Sequence, residues 1–477
     1  MQVLIGRADE LHELEEIRTK RTSSLIVVHG RRRIGKSSLL NQFGQNFGQC
    51  YEFQGLGPRE GQTRYHQLDN FAAQLQKHFG LGSFQFKDWS DAFSTLAKLT
   101  ASKECLIILD EISWMASHEA DFAGKLKIAW DMDFKKNPRL VLALCGSVSS
   151  WIEKNILNHA DFVGRISYTK NLQPLKLGYC AEFWGNRRNR IAPNEILTTL
   201  CVTGAIPKYL EEINPRSSAM DNIARLCFSP TGYLFQDFER IFNDIFSRRS
   251  STYKKILNHL IDRHLEPKSL AESLKTSQSG DLTEYLEDMR QAGFLARDFN
   301  WDFDGRPGKL SHYRIRDNYL RFYLKYVEPR TDQIEKGIFQ FGSLDALTNW
   351  HVLRGLQFEN LILDNIPEVC RALKIDLKSV QQYGSYFQTK TKRRAGCQID
   401  LLIQDRFHTL YVCEIKMRRR IDASVMAEVA QKIDRIERPK AMSVRPILIY
   451  AGEIDPEVAH AEFFDRVLDA SRLLQAD

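Results

Sequence analysis

Residues Gly30-Arg31-Arg32-Arg33-Ile34-Gly35-Lys36-Ser37 follow the apolar run Leu25-Ile26-Val27-Val28 and precede Ser38-Leu39-Leu40-Asn41-Gln42-Phe43. The first flank reads as a buried strand and the last as a helix. Glycine, four residues, then Gly-Lys-Ser is the spacing of a phosphate-binding loop. The glycines let the backbone curl so that successive N–H groups of Gly30 to Ser38 point at a phosphate chain. A helix starting near Lys36 adds its N-terminal dipole to that anion site. Lys36 is placed to reach the β- and γ-phosphates, and the Ser37 hydroxyl to coordinate Mg²⁺. The stretch predicts a nucleoside triphosphate site in an α/β core.

A second nucleotide element is Cys105-Leu106-Ile107-Ile108-Leu109-Asp110-Glu111. A continuous apolar run suits a strand buried on both faces of a parallel sheet. Carboxylates at its C-terminal end fall where open α/β sheets bind ligands. Asp110 is expected to hold Mg²⁺ through water, and Glu111 to orient the attacking water. A third strand, Leu140-Val141-Leu142-Ala143-Leu144-Cys145, ends in Gly146-Ser147, and Phe162-Val163-Gly164-Arg165 follows.

Taken in order, the loop, Leu-Asp-Glu, Cys-Gly-Ser, Gly-Arg, Leu172-Gln173-Pro174-Leu175 and Gly204-Ala205-Ile206-Pro207-Lys208-Tyr209-Leu210 resemble the archaeal-type P-loop ATPases of the STAND/AAA+ group. The earlier segment Ile5-Gly6-Arg7-Ala8-Asp9-Glu10-Leu11 resembles the one that packs near the adenine in such proteins. The resemblance covers the first half of the chain and implies ATP over other nucleotides. It also implies that Ser147 senses the γ-phosphate, although a helix-capping serine fits equally. Arg165 is either an arginine finger, acting in cis or from a neighbouring subunit, or a plain surface arginine. Many members carry a C-terminal domain of the restriction-endonuclease-like type.

The remaining bounds are broad. A chain of 477 residues, 43% hydrophobic and 27% charged, is an ordinary globular protein of two to four domains. No apolar run approaches the ~18 residues of a membrane span, and the N-terminus has no signal-peptide layout. Nine scattered cysteines without a Cys-x-x-Cys pair predict reduced thiols in the cytoplasm and argue against a zinc site. A net charge of +7 permits a polyanionic partner without demanding one.

Residues 176–245 are expected to form a helical lid after the core of residues 1–175. Residues 246–330 read as a winged-helix module, with helices at 253–260, 269–274 and 281–292 and a hairpin joining 293–297 to 313–315. Its presumed recognition helix carries Asp281, Glu284, Glu287 and Asp288 against Arg290 alone. So acidic a helix suits a structural or protein-contact role better than a phosphate-lined groove.

Residues 335–477 hold the second constellation. Gln398-Ile399-Asp400-Leu401-Leu402-Ile403 and Thr409-Leu410-Tyr411-Val412-Cys413-Glu414-Ile415-Lys416 read as adjacent strands joined by a short polar turn. Glu414 and Lys416 share a face with Leu410 and Val412, and two charges extending an apolar face need a reason. A metal site supplies one: Asp400 and Glu414 bind Mg²⁺ with a backbone carbonyl, and Lys416 orients the water and stabilises developing charge. Asp, a gap, then Glu-x-Lys resembles the PD-(D/E)xK nuclease pattern. That resemblance implies an acidic residue from an upstream helix, for which Glu359 is the candidate, with Gln431 a weaker one in the following helix. Glu266-Pro267-Lys268 is read as a decoy in a proline loop. Lys390, Lys392, Arg393 and Arg394 precede Asp400, and Arg418-Arg419-Arg420 follow Lys416, although 21 basic and 20 acidic residues balance over 335–477. Any nucleic-acid contact therefore needs a patch.

The expected architecture is an α/β multidomain chain: P-loop AAA+/STAND-like core, helical lid, winged helix and C-terminal restriction-endonuclease-like domain. The expected function is ATP binding and hydrolysis coupled to Mg²⁺-dependent DNA cleavage in genome defence or DNA processing, the defence role being carried by the family resemblance alone. The expected partners are nucleic acid, DNA before RNA, and a second copy of the chain should Arg165 act in trans. The alternatives are an ATP-driven switch or scaffold whose C-terminal domain only binds a partner, and a DNA-translocating motor.

Overall fold

The computed structural model describes residues 4–147, 149–246, 250–275, 280–304, 306–390, 392 and 395–475. They form two compact units, Met1–Pro174 with Ile241–Ser247, and Leu175–Arg240 with Arg248–Asp477. The segments read as lid, winged helix and C-terminal domain lie in the second unit, apart from 241–247.

In the first unit the strands β1 (Ser24–His29), β2 (Gln49–Gln54), β3 (Cys105–Asp110), β4 (Leu140–Gly146) and β5 (Ile166–Asn171) form one parallel sheet, ordered β2-β3-β4-β1-β5. Every residue of β1, β3 and β4 is buried, as their unbroken apolar runs require, whereas the edge strand β5 alternates half-buried with exposed positions. The helices Arg64–Phe79, Trp89–Thr100 and Phe122–Met132 bring Phe71, Trp89, Phe93 and Phe122 onto a shared aromatic core. The Trp89 and Phe122 rings meet edge-on at 4.9 Å. Because all five strands run the same way, the loops after β1, β3 and β4 emerge at one edge of the sheet.

The second unit carries the hairpin β6 (Leu295–Asp302) and β7 (Arg306–Ile315). Its larger sheet consists of β8 (Val380–Gln388), β9 (Cys397–Asp405), β10 (Thr409–Ile421), β11 (Ser443–Ile454) and β12 (Arg466–Asp469), ordered β12-β11-β10-β9-β8. β8, β9 and β10 are antiparallel neighbours, while β10, β11 and β12 are parallel. The helix Ser424–Arg435 makes the crossover that a parallel β10–β11 pair demands. The hairpin runs past the expected end at Arg297, because Trp301 is buried against Tyr386 and its indole N–H donates to Gln404 Oε1 at 3.1 Å. The helices Ser250–Leu260, Pro267–Ser273 and Gly280–Gln291 occupy the expected positions. On the acidic helix, Asp288 accepts from the Tyr253 hydroxyl at 2.8 Å and Glu287 pairs with Arg290.

A buried polar network ties these elements together. Asn318 and Gln357 exchange amide-to-carbonyl hydrogen bonds at 3.0 and 2.7 Å, and Asn360 Nδ2 donates to Ile315 O, Arg316 O and Asn318 Oδ1. Arg321, fully buried, donates to Ile315 O at 2.6 Å, and Arg314 donates to Asn360. Removing one member leaves several buried groups unpaired, so Asn360→Ala is expected to destabilise this unit by about 2–4 kcal/mol. Urea unfolding followed by tryptophan fluorescence checks this; a loss within ~0.5 kcal/mol, the surface-substitution range, would show the network to be incidental. Among the described residues no helix is long and apolar enough to cross a membrane.

Candidate functional site

The loop after β1 is shaped by two glycines. Gly30 has φ +136°, and a Cβ there would lie 2.6 Å from Leu172 O; Gly35 is left-handed at φ +92°. The helix Lys36–Gly44 begins on the second glycine, as expected. Lys36, 7% exposed, folds back and donates to Gly30 O and Arg31 O at 2.9 and 3.0 Å. Arg31 is also buried and donates to Arg32 O, Arg33 adopts φ 68°, and Ile34 is buried. Ser37 Oγ donates to Asp110 Oδ2 at 2.8 Å, bringing together the two groups expected to share Mg²⁺. A hydroxyl beside one carboxylate is a donor set that fits a hard, water-retaining cation.

Glu111 sits in the left-handed region at φ 51°, a strained conformation that turns its side chain along the sheet edge. Its carboxylate accepts from Ser147 N–H at 3.2 Å and from Ser147 Oγ at 2.8 Å, with the Arg32 guanidinium 4.0 Å away. Arg32 also lies over the Trp114 ring, 4.8 Å from its centroid. Ser147 thus holds Glu111, a contact that neither of its two expected roles, γ-phosphate sensor or helix cap, called for. Arg7 donates to Ile34 O at 3.1 Å and Gln173 O at 2.7 Å, a clamp on the loop that its spacing could not reveal. Arg165 is gripped by Asp131, its Nε and Nη2 donating at 2.8 and 2.9 Å. An arginine finger at this position would first have to break that bidentate pair.

In the second unit the β9–β10 ladder pairs Cys413 with Leu401, which brings Asp400 and Glu414 side by side one step further on. Glu414 is fully buried. Lys416 Nζ lies 2.6 Å from Glu414 Oε1 and 2.9 Å from Glu428 Oε2. Asp400 Oδ2 accepts from Ile415 N–H at 2.9 Å. Burial and then the Glu414 charge push Asp400 upward. Glu359, on the helix Trp350–Leu363, is 8% exposed with Oε1 lacking a hydrogen-bond partner; burial and then the Asp400 charge push it up to about 8. Among the described residues no three His, Cys, Asp or Glu side chains are arranged to hold a metal ion, so Glu359 does not complete a cage with Asp400 and Glu414. The two remaining carboxylates suffice for Mg²⁺, which keeps several waters and needs only one or two.

Lys432, missed beside the weaker candidate Gln431, reaches both carboxylates from the helix Ser424–Arg435. A cavity of about 500 Å³ adjoins Glu414 and is lined also by Lys416, Gln431, Lys432, Arg435 and Glu266, among others. Of the expected proline loop, Pro267 and Lys268 open a helix, while Glu266 stays outside it as the preceding residue and lines this cavity. Lys390, Lys392, Arg418, Arg419 and Arg420 are exposed, while Arg393 and Arg394 lie outside the described residues.

Residues 4–213 match a family described as an ATPase domain predominantly from Archaea. This span contains the loop, Asp110, Glu111 and Ser147, and it agrees with the P-loop ATPase chemistry of their geometry. The uncharacterized protein MJECL04 of Methanocaldococcus jannaschii is 24% identical over 376 residues, covering 79% of this chain and 80% of its own. That alignment is longer than the ATPase span, so the likeness continues beyond it. Among solved structures, the Walker-type ATPase paby2304 of Pyrococcus abyssi has a TM-score of 0.48 at 18% identity, covering 67% of this chain and 96% of its own. The ORC2 protein of Aeropyrum pernix, in ADPNP–ADP complexes, scores 0.41 at 13% identity, with 70% and 95% covered.

Two outcomes are expected. Gly30→Ala forces a Cβ onto Leu172 O and should weaken nucleotide binding at least tenfold, measured by isothermal titration; unchanged affinity would sink the assigned loop geometry. His29, 3% exposed at the end of β1, is pushed down to about 4 by burial and then by the Lys36 charge. The unfolded chain, with an ordinary value near 6.5, takes up the proton first. The stability His29 contributes is therefore present above pH 6.5 and lost as pH falls towards 4, amounting to about 3 kcal/mol. His29→Gln should flatten that part of the pH profile of urea unfolding, and a profile parallel to wild type would refute it.

Proposed function

We propose that this chain is an ATP-hydrolysing regulator whose second unit cleaves nucleic acid, DNA in the first instance, at the Asp400/Glu414/Lys416 centre. The nucleotide half of this reading rests on the archaeal-type ATPase match and on the Ser37–Asp110 pair. Lys36 would leave its two loop carbonyls for the phosphates. Glu111 retains acceptor capacity for a water, since a carboxylate has about four lone-pair sites and Ser147 occupies only part of them.

The cleavage half is carried by one observation: a fully buried Glu414 beside Asp400, with Lys416 on the same face and a cavity in front. A bound Mg²⁺ would supply Lewis acidity and an activated water at this centre. Asp400 and Glu414 would hold it, Lys416 would stabilise charge on the phosphate, and Glu428 keeps Lys416 oriented. The exposed Arg418, Arg419, Lys390 and Lys392 would track the polyanion backbone. The acidic face of Asp281 and Glu284 favours a second reading, a signalling switch in which this unit only docks a partner. The Arg165–Asp131 pair disfavours a ring motor that would need Arg165 in trans.

Mg²⁺- or Mn²⁺-dependent cleavage of plasmid and single-stranded DNA, with and without ATP, tests the proposal. Wild type should cut, and Asp400→Ala and Lys416→Ala should lose at least a hundredfold while still hydrolysing ATP. Lys36→Ala should lose ATP turnover. Intact ATP hydrolysis with no Asp400-dependent cutting would overturn the nuclease in favour of the switch.

A further inference from the structure

The carboxylate centre already contains a cation. Lys432 Nζ lies 2.5 Å from Glu414 Oε2 and 3.5 Å from Asp400 Oδ1, so one ammonium bridges the two oxygens that converge on any metal position. Lys416 is different: it touches only Glu414 of this pair and is anchored outward by Glu428. The formal charges of Asp400, Glu414, Lys416 and Lys432 sum to zero. A divalent cation entering with Lys432 in place would leave the cluster at about +2 beside the fully buried Glu414, where uncompensated charge is costly.

We infer that Lys432 is an internal plug of the metal site, a positioning residue that a divalent cation must displace before the centre is competent. This rests on the cleavage centre proposed above. The displaced side chain has somewhere to go. Its four-carbon stem is flexible and unbranched, and its ammonium needs only to swing into the adjoining 500 Å³ cavity, where Glu266 and Glu428 present carboxylates. With Lys432 withdrawn, the metal, both carboxylates and Lys416 carry a net +1, which a single phosphodiester neutralises. Substrate and metal therefore favour the unplugged state together, and the plug keeps the centre closed when either is scarce.

Mn²⁺ binding to the full chain, read by electron paramagnetic resonance without nucleotide or nucleic acid, tests this directly. The variants are Lys432→Met, which keeps the stem and removes the charge, and Lys432→Arg, which keeps the charge. Asp400→Asn is the blank that identifies the site. Lys432→Met should bind Mn²⁺ at least tenfold more tightly than wild type, Lys432→Arg should not, and the gain should vanish in the Asp400→Asn/Lys432→Met double variant. Should Lys432→Met melt below the assay temperature, Lys432→Gln retains a donor to Glu414 and serves in its place. Equal or weaker Asp400-dependent binding in the charge-free variant would overturn the plug and leave the carboxylate centre standing. Absence of any Asp400-dependent Mn²⁺ binding in all variants would overturn both.

Discussion

A carboxylate buried in a protein interior must be matched by a cation or by hydrogen-bond donors, and this chain buries one on a central strand of each sheet. Asp110 closes β3 at 3% exposure, and Glu414 lies within β10 at 0%. Each is tolerable only because neighbouring elements deliver partners. Ser37 and the Glu111 N–H serve Asp110, while Lys416 and Lys432 serve Glu414. In both units the sheet core fixes the acid and the surrounding loops and helices exist in the arrangement that satisfies it. That constraint explains why these positions look like sites: an acid held among polar partners is also a ligand that a cation can use.

The two sites differ in how their acids are approached. Asp110 and Glu111 stand at the edge of a parallel sheet, where every strand ends in the same direction and a diphosphate chain can lie across the loop mouths. Glu414 is in mid-strand and lines a cavity together with Glu428, Gln431 and Lys432 of the helix Ser424–Arg435. The first geometry suits an extended, flexible ligand, and the second suits a small ion and one phosphate. The strain at Glu111 belongs to the first design, because a left-handed residue just after β3 turns its carboxylate towards Ser147, just past the end of β4.

Much of the first sheet could be read in the sequence because parallel strands covered on both faces leave unbroken apolar runs, and β1, β3 and β4 are such runs. The loop was legible because its glycines and Lys-Ser sit at fixed offsets in one short stretch. Glu414 and Lys416 were legible through a violated alternation on β10, and Asp400 through its place on the adjoining strand β9. Lys432 was not, because a lysine in an amphipathic helix carries no sign of what it faces. Arg7's contacts with Ile34 and Gln173 and Asp131's with Arg165 escaped for a related reason: these partners lie 27 or more residues away, and pairing at that range is decided by strand order rather than by local spacing. Glu359 shows the opposite failure, since a carboxylate at a suitable position in the chain gained a neighbouring charge without becoming part of a three-acid cage.

Control of one centre by the other requires more than the presence of both. A nucleotide bound equally well in two arrangements of the chain shifts neither, however tight the binding. Any coupling must therefore be carried by a group whose partners differ between states, and the second unit contains a network suited to transmit such a change. Arg314 bridges Asp298 on the hairpin and Asn360 on the helix that bears Glu359, one residue away, and Glu359 feels the charge of Asp400. Between the hairpin and Asp400 stand Asn360 and Glu359, both buried, and Glu359 keeps one oxygen without a hydrogen-bond partner. Packed polar chains of this kind move between discrete arrangements rather than deforming smoothly. Of the elements around the proposed cleavage centre, the hairpin is one that this line of contacts reaches.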